Sequence, residues 1–430
     1  MIMGKARLFF AFIFFTMFSQ SIGGQPYAIT GEDKSLQSIK HLCGTCHGLI
    51  MNQRCVSGEC DNSRVHTISE QPWDLIVPWM KAMGCQMTAI EQSEITRYLM
   101  KHFGKYYPIR WERAGSAREG WNVVSLGEFH GRLYAGIEGS GSIFRLDDFP
   151  KSGGPTWKRV LETPNYTVYG FTLFREKFYA VTNDPAAEIW SSTDGVNWQL
   201  SGKLSEEKGI TSIGVYQGSL YVGTVRASLY RSTDGLTWKR VRTILPNALN
   251  EFKNWVRFIL PYEDMLYVGT EKSGLYRTED GEVWTKVGLF EEEPSNSKFI
   301  SGVRGAAVFN GVLYIGTTTR GEIMAIGQKN GSKPIRVFSA DQNTNRGYVG
   351  SMSVFNNFLY AGIGGTVFRT HDGKDWEEVG RLGPYTIEAM AGFDHYLYAG
   401  TTLPPNTWIY RTTGLSTQIN TINPPDDLKP

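Results

Sequence analysis

The sequence predicts a multidomain chain in which a small all-α segment precedes a larger all-β domain built from seven similar units. Two observations lead to this division. All five cysteines fall between positions 43 and 85 of the 430 residues, so the two parts differ in chemistry. Beyond position 110 the sequence repeats itself at intervals of 38–47 residues, which indicates a repeat architecture. The 48 glycines and the aromatic fraction of 13% favour short strands joined by tight turns.

The first 24 residues have the pattern of a secretory signal peptide. Lys5 and Arg7 supply the charged start, positions 8–18 the apolar run, and Ser21 to Gly23 the small residues of a cleavage site. A retained membrane anchor is the alternative, but eleven residues cannot cross a hydrocarbon core about 30 Å thick. We therefore expect a periplasmic or otherwise exported protein whose mature chain has no integral membrane span.

Positions 43–47 read Cys-Gly-Thr-Cys-His, the pattern of c-type haem attachment. Two thiols add to the vinyl groups of the porphyrin, and the adjacent histidine reaches the iron. A thioredoxin-like redox pair needs a strand–helix setting, and a zinc site needs a second pair of ligands; the sequence offers neither. Cys43, Cys46 and His47 are therefore predicted to hold one covalent haem c, with His47 as an iron ligand.

The residues that follow have the layout of a small helical domain. Positions 73–84 run from Trp73 through Met80 to a glycine, and a helix with an apolar stripe is expected from Thr88 to Gly104. This layout resembles class I c-type cytochromes, in which a methionine is the distal haem ligand. The resemblance implies an all-α fold and places that ligand on Met80. The alternatives for this position are Met83, Met87, His66, His102 or an open site.

Three further cysteines, Cys55, Cys60 and Cys85, lie outside the haem motif. Cys60 is followed by Asp61 instead of histidine, so no second haem motif is formed. In an oxidising compartment two of the three are expected to pair, and the sequence leaves open which two.

The repeats align on seven tyrosines, each preceded by Leu or Phe: Tyr134, Tyr179, Tyr221, Tyr267, Tyr314, Tyr360 and Tyr398. The residue eleven positions earlier is β-branched in every unit, and the residue five positions earlier is aromatic in every unit. Glycine stands two positions later in six of the seven units. Each unit reads as four strands, and radial packing gives every sheet two neighbours. The sequence thus predicts a seven-bladed β-propeller.

Four units share a turn between their third and fourth strands with the pattern Ser/Thr-x-Asp-Gly-x-x-Trp. The aspartates are Asp194, Asp234, Asp280 and Asp372, and the tryptophans are Trp198, Trp238, Trp284 and Trp376. These turns resemble the Asp-box of sialidase-like (BNR-repeat) propellers. The resemblance implies a structural role, in which the aspartate accepts hydrogen bonds from turn amides and the tryptophan covers the hairpin.

The seventh unit lacks a fourth strand, whereas Arg110 to Arg113 have the sequence of one. We therefore expect the N-terminal strand to close the ring, with Trp111 packed beside 409–412. The expected segments are a signal peptide (1–24), a cytochrome c domain (25–107), a seven-bladed propeller (108–415) and an irregular tail (416–430).

Function is expected where the first strands of the blades converge. Arg257 and Arg304 lie ten positions before their reference tyrosines on adjacent blades, where they would grip a small anionic ligand or form local salt bridges. Sialidases use three converging arginines, and only two stand here, so no catalytic residue is assigned. Net charge is +2 and both parts are nearly neutral, which argues against nucleic acid as a partner.

The sequence therefore predicts an electron carrier that meets a redox partner protein and uses its propeller as a docking or ligand-binding platform. Two alternatives remain. In one, the chain is an oxidoreductase whose propeller binds a small substrate and passes electrons to the haem. In the other, it is a redox-sensing assembly or scaffold protein.

Overall fold

The computed structural model describes Thr88 and residues 109–117, 119–147, 155–243, 254–288, 302–318, 321–327, 333–340, 347–383, 386–402 and 408–413. Every strand that the structure describes belongs to one compact unit, Pro108–Gln418. Among the described residues, no helix has the length and apolarity needed to cross a membrane.

The first seventeen strands comprise one strand that precedes the repeat and the four strands of each of its first four units. They are β1 (Arg110–Ser116), β2 (Asn122–Phe129), β3 (Arg132–Glu138), β4 (Ser142–Leu146), β5 (Trp157–Glu162), β6 (Thr167–Phe174), β7 (Lys177–Asn183), β8 (Glu188–Ser192), β9 (Gln199–Lys203), β10 (Ile210–Tyr216), β11 (Ser219–Thr224), β12 (Ser228–Ser232), β13 (Lys239–Thr243), β14 (Val256–Tyr262), β15 (Met265–Thr270), β16 (Gly274–Thr278) and β17 (Thr285–Val287).

The last three units continue the series. They contain β18 (Val303–Phe309), β19 (Val312–Thr317), β20 (Glu322–Ile326), β21 (Ile335–Ser339), β22 (Val349–Phe355), β23 (Phe358–Ile363), β24 (Thr366–Thr370), β25 (Glu377–Arg381), β26 (Ile387–Phe393), β27 (Tyr396–Thr401) and β28 (Trp408–Thr413).

The strands within the described residues group into seven antiparallel blades of four. Six blades follow chain order, from β2–β5 to β22–β25, and a single pairing of Glu138 with Thr167 joins the first two. The first strand of each blade contacts the first strand of the next, and β26 contacts β2, so the inner strands form a closed ring around a central channel. The predicted all-β propeller architecture is therefore confirmed for this part of the chain.

The seventh blade is completed by β1, which pairs with β28 as the sequence predicts. Trp111 lies opposite Thr412, and Glu112 lies opposite Arg411. The Arg411 guanidinium forms an ion pair with the Glu112 carboxylate at 2.5 Å, and the Arg113 guanidinium lies 4.2 Å from the centre of the Trp408 ring. Ring closure thus joins the two ends of the propeller through both backbone and side-chain contacts.

The β-branched column and the glycine column of the repeat form the contact between neighbouring blades. All seven β-branched residues are fully buried: Val123, Val168, Ile210, Val256, Val303, Val349 and Ile387. A methyl group at Gly362 would lie 2.8 Å from Ile387 Cβ, and one at Gly400 would lie 2.6 Å from Val123 Cβ, across the closure. Glycine is therefore required at these two positions, because a side chain would collide with the inner strand of the next blade.

The turns with the Asp-Gly pattern have the hydrogen bonds that the sequence predicts. In one of them, Asp194 Oδ1 accepts from the backbone N–H groups of Val196 and Asn197, at 2.8 and 2.7 Å. Gly195 has φ of +73° and lies against the hydroxyl of Tyr134, on the preceding blade. The reference tyrosine of one blade thus supports the turn of the next, and a side chain at this glycine would collide with it.

Candidate functional site

The predicted haem ligands Cys43, Cys46, His47 and Met80 lie outside the described residues, as do the alternatives for the distal position and the three remaining cysteines. These assignments stay predictions. The candidate site that the structure does describe is at one end of the propeller channel.

The inner strands begin at the same end of the ring at which the second strands finish. We call this end the channel mouth. Two positions of each repeat lie there: the start of the inner strand, and the residue four positions after the reference tyrosine. Charged and aromatic side chains occupy these positions on several blades, and they influence one another across the channel.

Arg257 lies at the start of β14 and is already engaged. Its Nε donates to the Glu271 carboxylate, and its guanidinium stacks on the Trp255 ring with 4.3 Å between Cζ and the ring centre. The side chain is only 9% exposed, so the pair is partly desolvated and its charges attract more strongly than at an open surface. The edge of the Tyr169 ring meets Trp255 at 5.7 Å between centroids.

Arg304, at the start of β18, is paired in the same manner but with a partner two blades away. Its Nη2 lies 2.5 Å from Glu388 Oε2, and its Cζ lies 4.2 Å above the Tyr348 ring. The Tyr348 hydroxyl donates to the other oxygen of Glu388 at 2.5 Å. Burial, with the Glu388 charge in second place, raises the pKa of Tyr348 to about 12, so the hydroxyl stays protonated and remains a donor.

Glu138 is a third carboxylate at the mouth, on the blade that neighbours the blade of Glu388. Its carboxylate accepts a hydrogen bond from Asn122 Nδ2. Burial raises the pKa of Glu138 above its ordinary value, and the Glu388 charge acts in the same direction. Burial likewise raises the pKa of Tyr169, and Glu138 adds to the effect.

Among the side chains named above, three carboxylates accompany two guanidiniums. From the sequence, Arg257 and Arg304 could form either an anion site or local salt bridges. The structure shows that both form salt bridges. An anion would have to displace a carboxylate from one of these pairs.

Most of the residues that contact Arg257 and Arg304 were not identified from the sequence, although their positions in the repeat could have indicated them. Glu138 and Glu271 both stand four positions after a reference tyrosine. Asn122, Trp255 and Tyr348 all stand immediately before the β-branched column. Because both positions lie at the same end of the ring as Arg257, a search for polar and aromatic residues in them would have found the set.

No protein-family model and no curated protein sequence matches this chain. Solved structures do match, all at low identity. Streptogramin B lyase has a TM-score of 0.56 at 14% identity, covering 71% of this chain and 97% of that chain. YCF48 bound to a D1 peptide has a TM-score of 0.51 at 14% identity, covering 71% and 97%.

A third match is the extracellular domain of BT4673 from B. thetaiotaomicron, with a TM-score of 0.54 at 14% identity. The match covers 71% of this chain but only 40% of the length of that protein. At these identities the likeness shows the β-propeller fold alone.

Proposed function

We propose that this protein is an exported c-type cytochrome that carries electrons to or from a redox partner protein. The observation that carries the proposal is the Cys-Gly-Thr-Cys-His run at positions 43–47, which follows an export signal. The thiols of Cys43 and Cys46 would hold the haem, His47 would bind its iron, and Met80 would bind the opposite face. A bound haem supplies one-electron chemistry, and the protein ligands set its potential.

We further propose that the propeller is the part of this electron carrier that docks a partner protein or binds a ligand. The Asp-Gly turns support membership of the Asp-box propellers, in which such turns are structural. The YCF48 structure contains a bound D1 peptide, which supports a protein partner for this propeller as well. The buried ion pairs and tyrosines at the channel mouth offer fixed donors and acceptors for such a partner or for a small ligand.

A second candidate function is an oxidoreductase in which the propeller binds a small substrate. The polar cluster at the channel mouth favours it, because half-buried Tyr169, Tyr348 and Glu388 bring hydroxyl and carboxylate groups together there. The third alternative is a redox-sensing assembly or scaffold protein. In it the propeller also docks a partner protein, but no small substrate is consumed.

Redox titration of the full-length protein, purified from a host that attaches haem c, tests the proposal. An electron carrier gives one reversible one-electron transition, a haem spectrum with no additional chromophore, and rapid reduction or oxidation by a periplasmic extract. A second chromophore, or turnover that consumes a small substrate, would favour the oxidoreductase. A protein with no redox transition would contradict both.

A further inference from the structure

One corner of the channel mouth, formed by Glu138 and its neighbours, lacks the cation that balances the other carboxylates. Glu271 and Glu388 each form an ion pair with an arginine. Glu138, in contrast, has the neutral amide of Asn122 as its hydrogen-bond partner, and no ion pair joins it to a cation among the described residues. Of the three carboxylates, Glu138 is thus the one without an arginine in direct contact among the described residues.

Asn122 adds a second acceptor without a donor. Its Nδ2 donates to the Glu138 carboxylate, which fixes the orientation of the amide and leaves Oδ1 as an acceptor. Within the described part of the chain, Asn122 Oδ1 is buried and receives no hydrogen bond. Buried polar atoms are rarely left unpaired, so the corner lacks a hydrogen-bond donor. An anion cannot supply one, whereas a protonated amine supplies three.

Two exposed aromatic residues adjoin the backbone of Glu138 and Gly139. Trp121 is 46% exposed, its backbone N–H donates to the Glu138 carbonyl oxygen at 2.7 Å, and its indole lies against Gly139. Tyr166 is 45% exposed, and its carbonyl oxygen accepts from the Gly139 N–H at 2.7 Å. Large exposed aromatic side chains on residues that adjoin an unpaired carboxylate in the fold suit an organic cation, because the ring faces carry partial negative charge.

We propose that the corner formed by Trp121, Asn122, Glu138 and Tyr166 binds an alkylammonium group, with Glu138 as its counter-ion. The group is the amine of a small molecule or the side chain of a lysine on a partner protein. This inference rests on the proposed role of the propeller as a ligand-binding or docking platform and specifies the chemistry of what it recognises. It also reverses the expectation of an anion near Arg257 and Arg304.

Titration of the full-length protein with n-butylammonium chloride, followed by calorimetry and tryptophan fluorescence, tests the proposal. Sodium butyrate is the matched anion of similar size. We expect saturable binding of butylammonium and none of butyrate. Glu138→Gln, which keeps the shape and the Asn122 contact, should weaken binding roughly tenfold because a charge-assisted hydrogen bond is lost. Binding of butyrate in preference to butylammonium would overturn the proposal.

Two further variants separate binding from folding. Glu128→Gln changes an exposed glutamate of the same blade at the other end of β2, and we expect it to leave butylammonium affinity unchanged. Trp121→Ala alters an exposed ring and should weaken binding several-fold, whereas Trp121→Phe should restore most of it. Equal affinity in the Glu138, Glu128 and Trp121 variants would contradict the assignment.

A lysine-containing tripeptide and its norleucine counterpart distinguish the two sources of the amine. Tighter binding of the lysine peptide than of butylammonium indicates a protein partner, and the reverse order indicates a small amine. Haem content and redox titration are measured on the same samples. If haem content and redox behaviour are normal but no amine binds, the amine site is wrong and the electron-carrier proposal stands. If amine binds to a protein that carries no haem, the amine site stands and the electron-carrier proposal is wrong.

Discussion

Replacing Trp111 with alanine tests how the propeller ring is closed. Trp111 is 8% exposed, and its Nε1 donates to the Val379 carbonyl oxygen at 3.1 Å on the preceding blade. Deleting a buried tryptophan side chain costs about 3–5 kcal/mol, and the lost hydrogen bond adds about 1 kcal/mol. We therefore expect Trp111→Ala to lower the free energy of unfolding of the propeller by about 4–6 kcal/mol.

The same contact can be perturbed from its other side. A methyl group at Gly380 would lie 2.6 Å from Trp111 Cδ1, so Gly380→Ala must displace the indole. Overpacking of this kind costs about 1–3 kcal/mol. Gly288→Ala is the matched control, because a methyl group there would meet nothing within 4 Å. Its effect should stay within about 0.5 kcal/mol.

The double variant supplies the sharpest result. Once Trp111 is alanine, the added methyl group at Gly380 has no indole to displace. Gly380→Ala should then cost almost nothing, and the two changes should be strongly non-additive. Thermal and denaturant unfolding, followed by the near-ultraviolet signal of the tryptophans, give the four free energies. Strict additivity, or a Trp111→Ala protein as stable as the parent, would refute closure by β1.

Three further predictions concern the closing strand, an acidic turn and the distal ligand. Deletion of residues 108–114 should destabilise the propeller more than any single substitution in β1, because β28 becomes an unpaired edge; an unchanged melting temperature would contradict this. Backbone N–H donors hold the pKa of Asp372 at about 2, below its unfolded value of about 3.9. The turn therefore contributes stability above pH 4 that is lost as pH falls towards 2, and Asp372→Asn should flatten that part of the acid-unfolding curve. Met80→Ala should abolish the weak red absorption band that thioether ligation gives. If Met83→Ala abolishes the band and Met80→Ala does not, the distal haem ligand is Met83.

Much of the propeller could be predicted from the sequence because its repeats place equivalent residues in equivalent environments. The β-branched column, the reference tyrosines and the strand pairs follow from short-range patterns that the structure reproduces. Ring closure was also predictable, since the seventh unit lacks a strand that Trp111 and its neighbours supply. In register, Trp111 occupies the position of Trp238, because Arg411 and Arg231 both lie beside the reference tyrosines of their blades.

The partners within the channel mouth could not be predicted in this way. Arg304 and Glu388 are 84 residues apart and on different blades, so no local pattern connects them. A search of the repeat positions finds these residues, but each blade carries a different residue there, so the repeat does not show which of them pair. The contact between Gly400 and Val123 is a similar case. The glycine column and the β-branched column are both visible in the sequence, but only closure of the ring brings the last blade against the first.

The central claim is that Cys43 and Cys46 hold one covalent haem. A pyridine haemochrome assay of full-length protein, purified from a host that attaches haem c, measures it directly. We expect one haem per chain that stays bound under denaturing electrophoresis and is lost in the Cys43→Ala and Cys46→Ala double variant. A parent protein without covalent haem, or a double variant that retains it, would contradict haem attachment at these cysteines.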